Sequence, residues 1–103
     1  MILSTILGSA YYVNQVDVIN FDFNFTFQMD GIVMGGADGF AFVIQNQDLG
    51  AVGAYGIYTR AEANTILGKG IGYDGISRSL VVEFDTFLND NDPSDHHISI
   101  QSR

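Results

Sequence analysis

Glu83, Asp85, Asn89, Asp92 and His97 lie within fifteen residues of one another, and their types and spacing suit cation binding. Glu83 and Asp85 fall in Leu80-Val81-Val82-Glu83-Phe84-Asp85-Thr86-Phe87, an apolar, β-branched and aromatic run that predicts a strand. Side chains alternate along a strand, so Glu83, Asp85 and Phe87 share a face, with the two carboxylates roughly 7 Å apart at Cα. Unpaired on such a strand they repel each other and are costly to bury, so positive charge is expected between them. The following loop adds Asn89, Asp90, Asn91, Asp92 and Asp95, and the return through His97-Ile98-Ser99-Ile100-Gln101 points His97 and Ser99 to one side.

Ligand hardness divides this set. Calcium takes six to eight oxygens, and Asp85, Asn89, Asp92 and the carbonyl of Phe87 supply most of them. An imidazole beside carboxylates suits a transition ion such as Mn²⁺, drawing on Glu83, Asp85, Asp92 and His97. Asp85 and Asp92 would then bridge two adjacent ions. Spacing alone leaves a solvated acidic hairpin loop as an equal alternative.

The elements that must position these groups are strands. In Phe21-Asp22-Phe23-Asn24-Phe25-Thr26-Phe27-Gln28-Met29, apolar and polar residues alternate throughout. That pattern predicts a half-buried strand with its Phe rings on one core and its polar residues in water. Val16 and Val18 have the opposite parity, so a bulge or turn is expected near Ile19-Asn20. Phe40-Ala41-Phe42-Val43-Ile44 reads as a strand buried on both faces. Asp30-Gly31 and Gly35-Gly36 read as turns, and residues 48 to 75, including Thr59 to Asn64, as glycine-rich loop. Short strands, turn signals and no convincing helix argue for an all-β sandwich.

Composition sets limits. The chain has 103 residues, 47% hydrophobic and 16% charged, enough apolar material for the core of one small domain. Twelve Asp and Glu against four Lys and Arg give a formal charge of −8, which disfavours nucleic acid and anionic membrane surfaces. Cysteine is absent, which removes disulfides, thiolate zinc sites and a Cys nucleophile. No apolar run approaches a membrane span, so membrane insertion is not expected. The opening ten residues have the apolar character of a signal peptide but no basic n-region, so they are read as the start of the fold.

The motifs together resemble the legume-type (L-type) lectins and their bacterial and animal relatives. Val81-Val82-Glu83-Phe84-Asp85-Thr86-Phe87-Leu88-Asn89, then Asp92-Pro93 and His97-Ile98, looks like that family's metal-site signature, E-x-D-x-[aromatic]-x-N followed by D-P-x-x-x-H-[IV]. Gly36-Ala37-Asp38-Gly39-Phe40-Ala41-Phe42 resembles its A-D-G hallmark, Phe21 to Phe27 its Phe-rich strand, and Gly8-Ser9-Ala10-Tyr11-Tyr12 its early G-x-A-[aromatic] segment.

The resemblance implies a concanavalin A-like, jelly-roll antiparallel β-sandwich over residues 1–103, incomplete at the C-terminal side because the family's whole domains continue with further strands. It implies a non-catalytic carbohydrate-binding module that depends on Ca²⁺ and Mn²⁺ or another transition ion. In the family, residues matching Glu83, Asp85, Asp92 and His97 hold the transition ion, and those matching Asp85, Phe87 (carbonyl), Asn89 and Asp92 hold calcium. The residue matching Asp38 follows a cis peptide and accepts hydrogen bonds from sugar hydroxyls. The Asn89 amide would donate to a hydroxyl and the Phe87 ring would pack on the sugar's apolar face. Glycans are the implied partners and an extracellular or cell-surface location the implied setting. The chain departs from the family in a short Asn89–Asp92 loop, in His96, read as solvent-facing, and in a Gly68-to-Gly72 loop whose Lys69 leaves sugar preference open.

Other readings fit less well. Glycoside hydrolases on the same jelly roll carry E-x-D-x-x-E with two glutamates as nucleophile and acid, and here Leu88 stands at the second Glu. A structural or adhesive β-domain does not require Asp38 together with Asn89. An EF-hand counted from Asp90 has Asp95 where glycine is needed and Gln101 where glutamate is needed. Gly70-Ile71-Gly72-Tyr73-Asp74-Gly75 matches G-x-G-x-x-G, with no helix expected to follow. The Asn24-Phe25-Thr26 sequon falls within the predicted strand.

Overall fold

A computed structural model describes residues 8–30, 36–48, 51, 70–90 and 92–103. The stretch Thr59 to Asn64, the glycines at 31 and 35, Lys69 and Asn91 lie outside the described residues. Among the described residues there are three strands and no helix: β1 (Gly39–Gln45), β2 (Ser79–Asp85) and β3 (His97–Ser102). They form one antiparallel sheet in the order β1-β2-β3, so the strand carrying the two carboxylates is central. Phe40 sits opposite Phe84 and Val43 opposite Val81 on one side, and Phe84 opposite Ile98 and Asp85 opposite His97 on the other. Ser79, the first residue of β2, and Arg103, just past β3, exchange backbone hydrogen bonds of 3.0 and 2.9 Å and close the far end of the β2-β3 pair.

The two faces of the sheet differ. Val81, Glu83 and Asp85 project to one side of β2, where Val81 and Ile76 are fully buried with Tyr73 and Ala51, and Ala41, Val43 and Ile71 pack at the margin. Tyr73 and Ile76 come from the turn at residues 70–76, held by Tyr73 and Asp74 N–H groups donating to the Gly70 carbonyl at 2.8 and 3.0 Å. The G-x-G-x-x-G segment thus forms a turn that leads into β2. Phe40, Phe42, Phe84, Leu80, Ile98 and Ile100 occupy the opposite face, with Ile100 73% exposed.

Residues 21–29 differ from the sequence expectation. They carry no strand assignment, and Phe21, Phe23, Phe25 and Phe27 remain about half exposed. The rings of Phe23, Phe25 and Phe27 nonetheless lie on the aromatic face of the sheet: Phe23 stacks on Phe42 at 5.0 Å, Phe25 on Phe42 at 5.5 Å, and Phe27 meets Phe40 at 4.6 Å and Phe84 at 5.0 Å. The period-2 pattern fixes which side chains point together; it does not by itself supply a neighbouring backbone to complete a ladder. β2 also ends two residues before Phe87, because the Asp85 carboxylate accepts the Phe87 N–H at 2.7 Å and takes that donor out of the ladder.

Candidate metal and ligand site

The site lies where β2 leaves the sheet and β3 enters it. Asp85 and His97 are cross-strand partners, so their side chains project from the same face. The intervening loop returns Asp92 to the same place: its N–H donates to the Asn89 carbonyl at 3.2 Å, and its carboxylate accepts the Asn89 N–H at 2.7 Å. Asp85, Asp92 and His97 thereby each offer a ligand atom within 4.8 Å of the others. The His97 Nδ1 lies 3.2 Å from the Ser94 carbonyl. A carbonyl can only accept, so Nδ1 carries the proton, and the lone pair of a neutral ring is left on Nε2.

The electrostatics of this corner ask for a cation. Asp85 is 6% exposed, and burial pushes its carboxyl above the ordinary carboxylate range. The Phe87 N–H and the His97 ring oppose that rise, whereas Asp92 and Glu83 add to it. Asp38 is raised by burial first and by Asp85 second. Carboxylates gathered in a part-buried place beside an imidazole form a hard-donor set with one nitrogen, which suits a divalent ion.

The segment bearing Asp38 is fastened to the end of β2. The Ala37–Asp38 peptide is cis, as the resemblance implied, and the Asp38 carbonyl accepts the Thr86 N–H at 2.9 Å. Gly39 follows with φ +128°, directly opposite Asp85; a Cβ there would fall 2.0 Å from the Phe84 carbonyl oxygen. Glycine is therefore required at this point of the A-D-G motif. Phe87 is 43% exposed and Asn89 half-buried, both on the loop that knits Asp85 to Asp92. His96 pairs with Asp95 at 3.3 Å, with both side chains exposed.

Glu83 is placed differently from the other expected ligands. It is 5% exposed and its carboxylate is ringed by donors: Tyr73 Oη reaches Oε1 at 3.0 Å, while Ser99 Oγ and Gln101 Nε2 reach Oε2 at 2.6 and 3.0 Å. Tyr73 is held in its neutral, donating form by burial and then by the adjacent Glu83. Its turn is tied to the end of β3 by an Arg103–Asp74 ion pair at 2.5 Å, with the Arg103 guanidinium 5.8 Å from the Tyr73 ring centre. Sequence reasoning missed Tyr73 and Gln101. Gln101 was legible, since it shares the parity of His97 and Ser99; Tyr73, ten residues from Glu83 in a glycine-rich turn, gave no periodic signal.

A family model described as legume lectin domain matches residues 7–103. Comparisons with the curated proteins and with the solved structures give no match.

Proposed function

The chain belongs to the legume lectin domain family, whose members are non-enzymatic carbohydrate-binding proteins with a concanavalin A-like β-sandwich fold, and on that premise we propose that it binds a glycan in a cation-dependent way. The family generally binds Ca²⁺ and Mn²⁺. The observation that carries the reading is the convergence of Asp85, Asp92 and His97 from a strand end, a loop and the facing strand onto one small volume.

The donor chemistry fits the family's ions. Glu83, Asp85, Asp92 and His97 would hold the transition ion, and Asp85, Asn89, Asp92 and the Phe87 carbonyl would hold calcium. When bound, such cations supply positive charge that offsets the mutual repulsion of the carboxylates and fixes the loop carrying them. The chain's own groups do the recognition. The Asp38 carboxylate accepts from sugar hydroxyls, the Asn89 amide donates, and the half-exposed Phe87 ring covers the apolar C–H face of a pyranose. The backbone bond from Thr86 to Asp38 supports this arrangement, because it links the hydroxyl-binding carboxylate to the strand end that bears the cation ligands. Legume lectin domains are typically extracellular or secretory, and we place this one outside the cell or at its surface. No helix of the described residues is long and apolar enough to cross a membrane.

Glycan-array binding with and without a chelator tests the reading: binding that disappears on chelation and returns with Ca²⁺ and Mn²⁺ supports it, and no chelator-sensitive signal on any glycan defeats it. Asp38→Ala should abolish glycan binding and leave metal uptake intact. Reducing ends released from β-glucans would overturn the non-catalytic assignment.

A further inference from the structure

We propose that Asn24 is an acceptor for an N-linked oligosaccharide, displayed on the water side of the Phe-rich segment and across the sheet from the cation ligands. The inference rests on the extracellular placement given above, since such oligosaccharides are added to chains entering the secretory route.

Asn24-Phe25-Thr26 has the N-x-[ST] pattern without proline at its middle position, and the sequence contains no second one. Pairing within a sheet would hide such a site, but residues 21–29 form no strand and stand outside the β1-β2-β3 ladder. Asn24 and Thr26 are both exposed. They alternate with Phe23, Phe25 and Phe27, whose rings lie against Phe42, Phe40 and Phe84 and hold the segment by its apolar side. The side-chain amide of Asn24 donates to the Asp22 carboxylate, two residues back, at 3.2 Å. An amide nitrogen carries two hydrogens, so this bond engages one and leaves the other for substitution.

The co-reactant is an oligosaccharide linked to a polyprenyl diphosphate. A bond forms between the Asn24 Nδ2 and the anomeric carbon of the first sugar, and the bond from that carbon to the diphosphate oxygen breaks. The nitrogen gives up one proton and the polyprenyl diphosphate leaves; the remaining N–H can still donate to Asp22. The position leaves the candidate ligand site clear. Phe40, Phe42 and Phe84 occupy the face of the sheet opposite Glu83 and Asp85, so the sheet stands between the sequon and the cluster of Asp85, Asp92 and His97. Phe27 meets Phe40, beside the Asp85 end of β1, whereas Phe23 and Phe25 stack on Phe42, so Asn24 is also set back from that end.

The full chain, directed into the secretory route of a eukaryotic cell by a cleavable leader, should carry one oligosaccharide that peptide-N-glycosidase removes, as read by mass spectrometry. Translation with microsomes gives the same readout for a chain that the cell retains. Asn24→Gln and Thr26→Ala should lose the added mass, and Thr26→Ser, which keeps the hydroxyl, should retain it. A translocated wild-type chain with no added mass, or added mass that persists in Asn24→Gln, overturns the proposal. Because Asn24 is exposed, the glycosidase should act on the native protein; release only after denaturation overturns the placement at the water side. Glycan-array binding should be the same before and after the oligosaccharide is removed, and a change would overturn the separation by the sheet. The array also distinguishes the two readings: an unmodified chain that binds glycans keeps the lectin reading and loses the acceptor, and a modified chain that binds none does the reverse.

Discussion

Gly39→Ala is the sharpest test of how the site is held. Gly39 has φ +128°, a region that L side chains rarely adopt, and the added Cβ would lie 2.0 Å from the Phe84 carbonyl oxygen and 3.1 Å from the Asp85 Cα. Real Cβ contacts stay beyond 3.0 Å, so β1 and β2 must part by about 1 Å at this register position, or the Gly39 backbone must rotate. Backbone strain of about 1–3 kcal/mol, with weakening of a strand hydrogen bond of about 1 kcal/mol, gives an expected loss near 3 kcal/mol. In urea unfolding that is a fall in midpoint of about 1–3 M. The transition can be followed by tyrosine emission, since the chain has no tryptophan. Gly36→Ala is the matched control in the same motif: nothing lies within 4 Å of its Cβ position, and its midpoint should not move. Glycan binding should fail in Gly39→Ala and persist in Gly36→Ala, because the displaced backbone also carries the Asp38–Thr86 bond. A Gly39→Ala protein with an unchanged midpoint and unchanged slope would refute the argument.

Other consequences follow from the same geometry. Asp85→Asn should cut uptake of both ions by more than about 100-fold in calorimetry, as Asp85 belongs to both expected ligand sets; loss of only one ion would break the bridging assignment. Without cations the raised Asp38 and Asp85 carboxyls bind protons more tightly in the folded than in the unfolded chain. Their contribution to stability is therefore greatest below the ordinary carboxylate value of about 4 and declines as pH rises through the raised values. Urea midpoints in chelator should accordingly be lower at pH 7 than at about pH 4, and Asp85→Asn should flatten the slope. Arg78→Gly should raise stability by about 0.5–1 kcal/mol, since Arg78 holds φ +52° and its guanidinium reaches the Gln47 carbonyl only at a long 3.4 Å; a loss in the same assay would show that contact to be worth more than the strain.

Local chemistry carried much of this protein in readable form. Alternation along 80–85 and 97–101 set which residues share a face, because strand parity depends only on the backbone of the strand itself; this is why Asp85 and His97 were legible as neighbours and why β3 returns beside β2. The family resemblance carried by the A-D-G string implied the cis Ala37–Asp38 peptide that is found; the positive φ at Gly39 was not read from the sequence. Three things were decided only by the tertiary structure. β1 pairs with β2 on the side away from β3, a choice between distant segments that no local pattern encodes. The Phe-rich stretch keeps its rings on the sheet but forms no strand, since ring orientation is local and ladder formation needs a partner. Glu83 finds its donors on a turn ten residues before it and on β3, sixteen and eighteen residues after it. A buried charge announces that it must be satisfied; which side chains satisfy it depends on how distant segments meet in space.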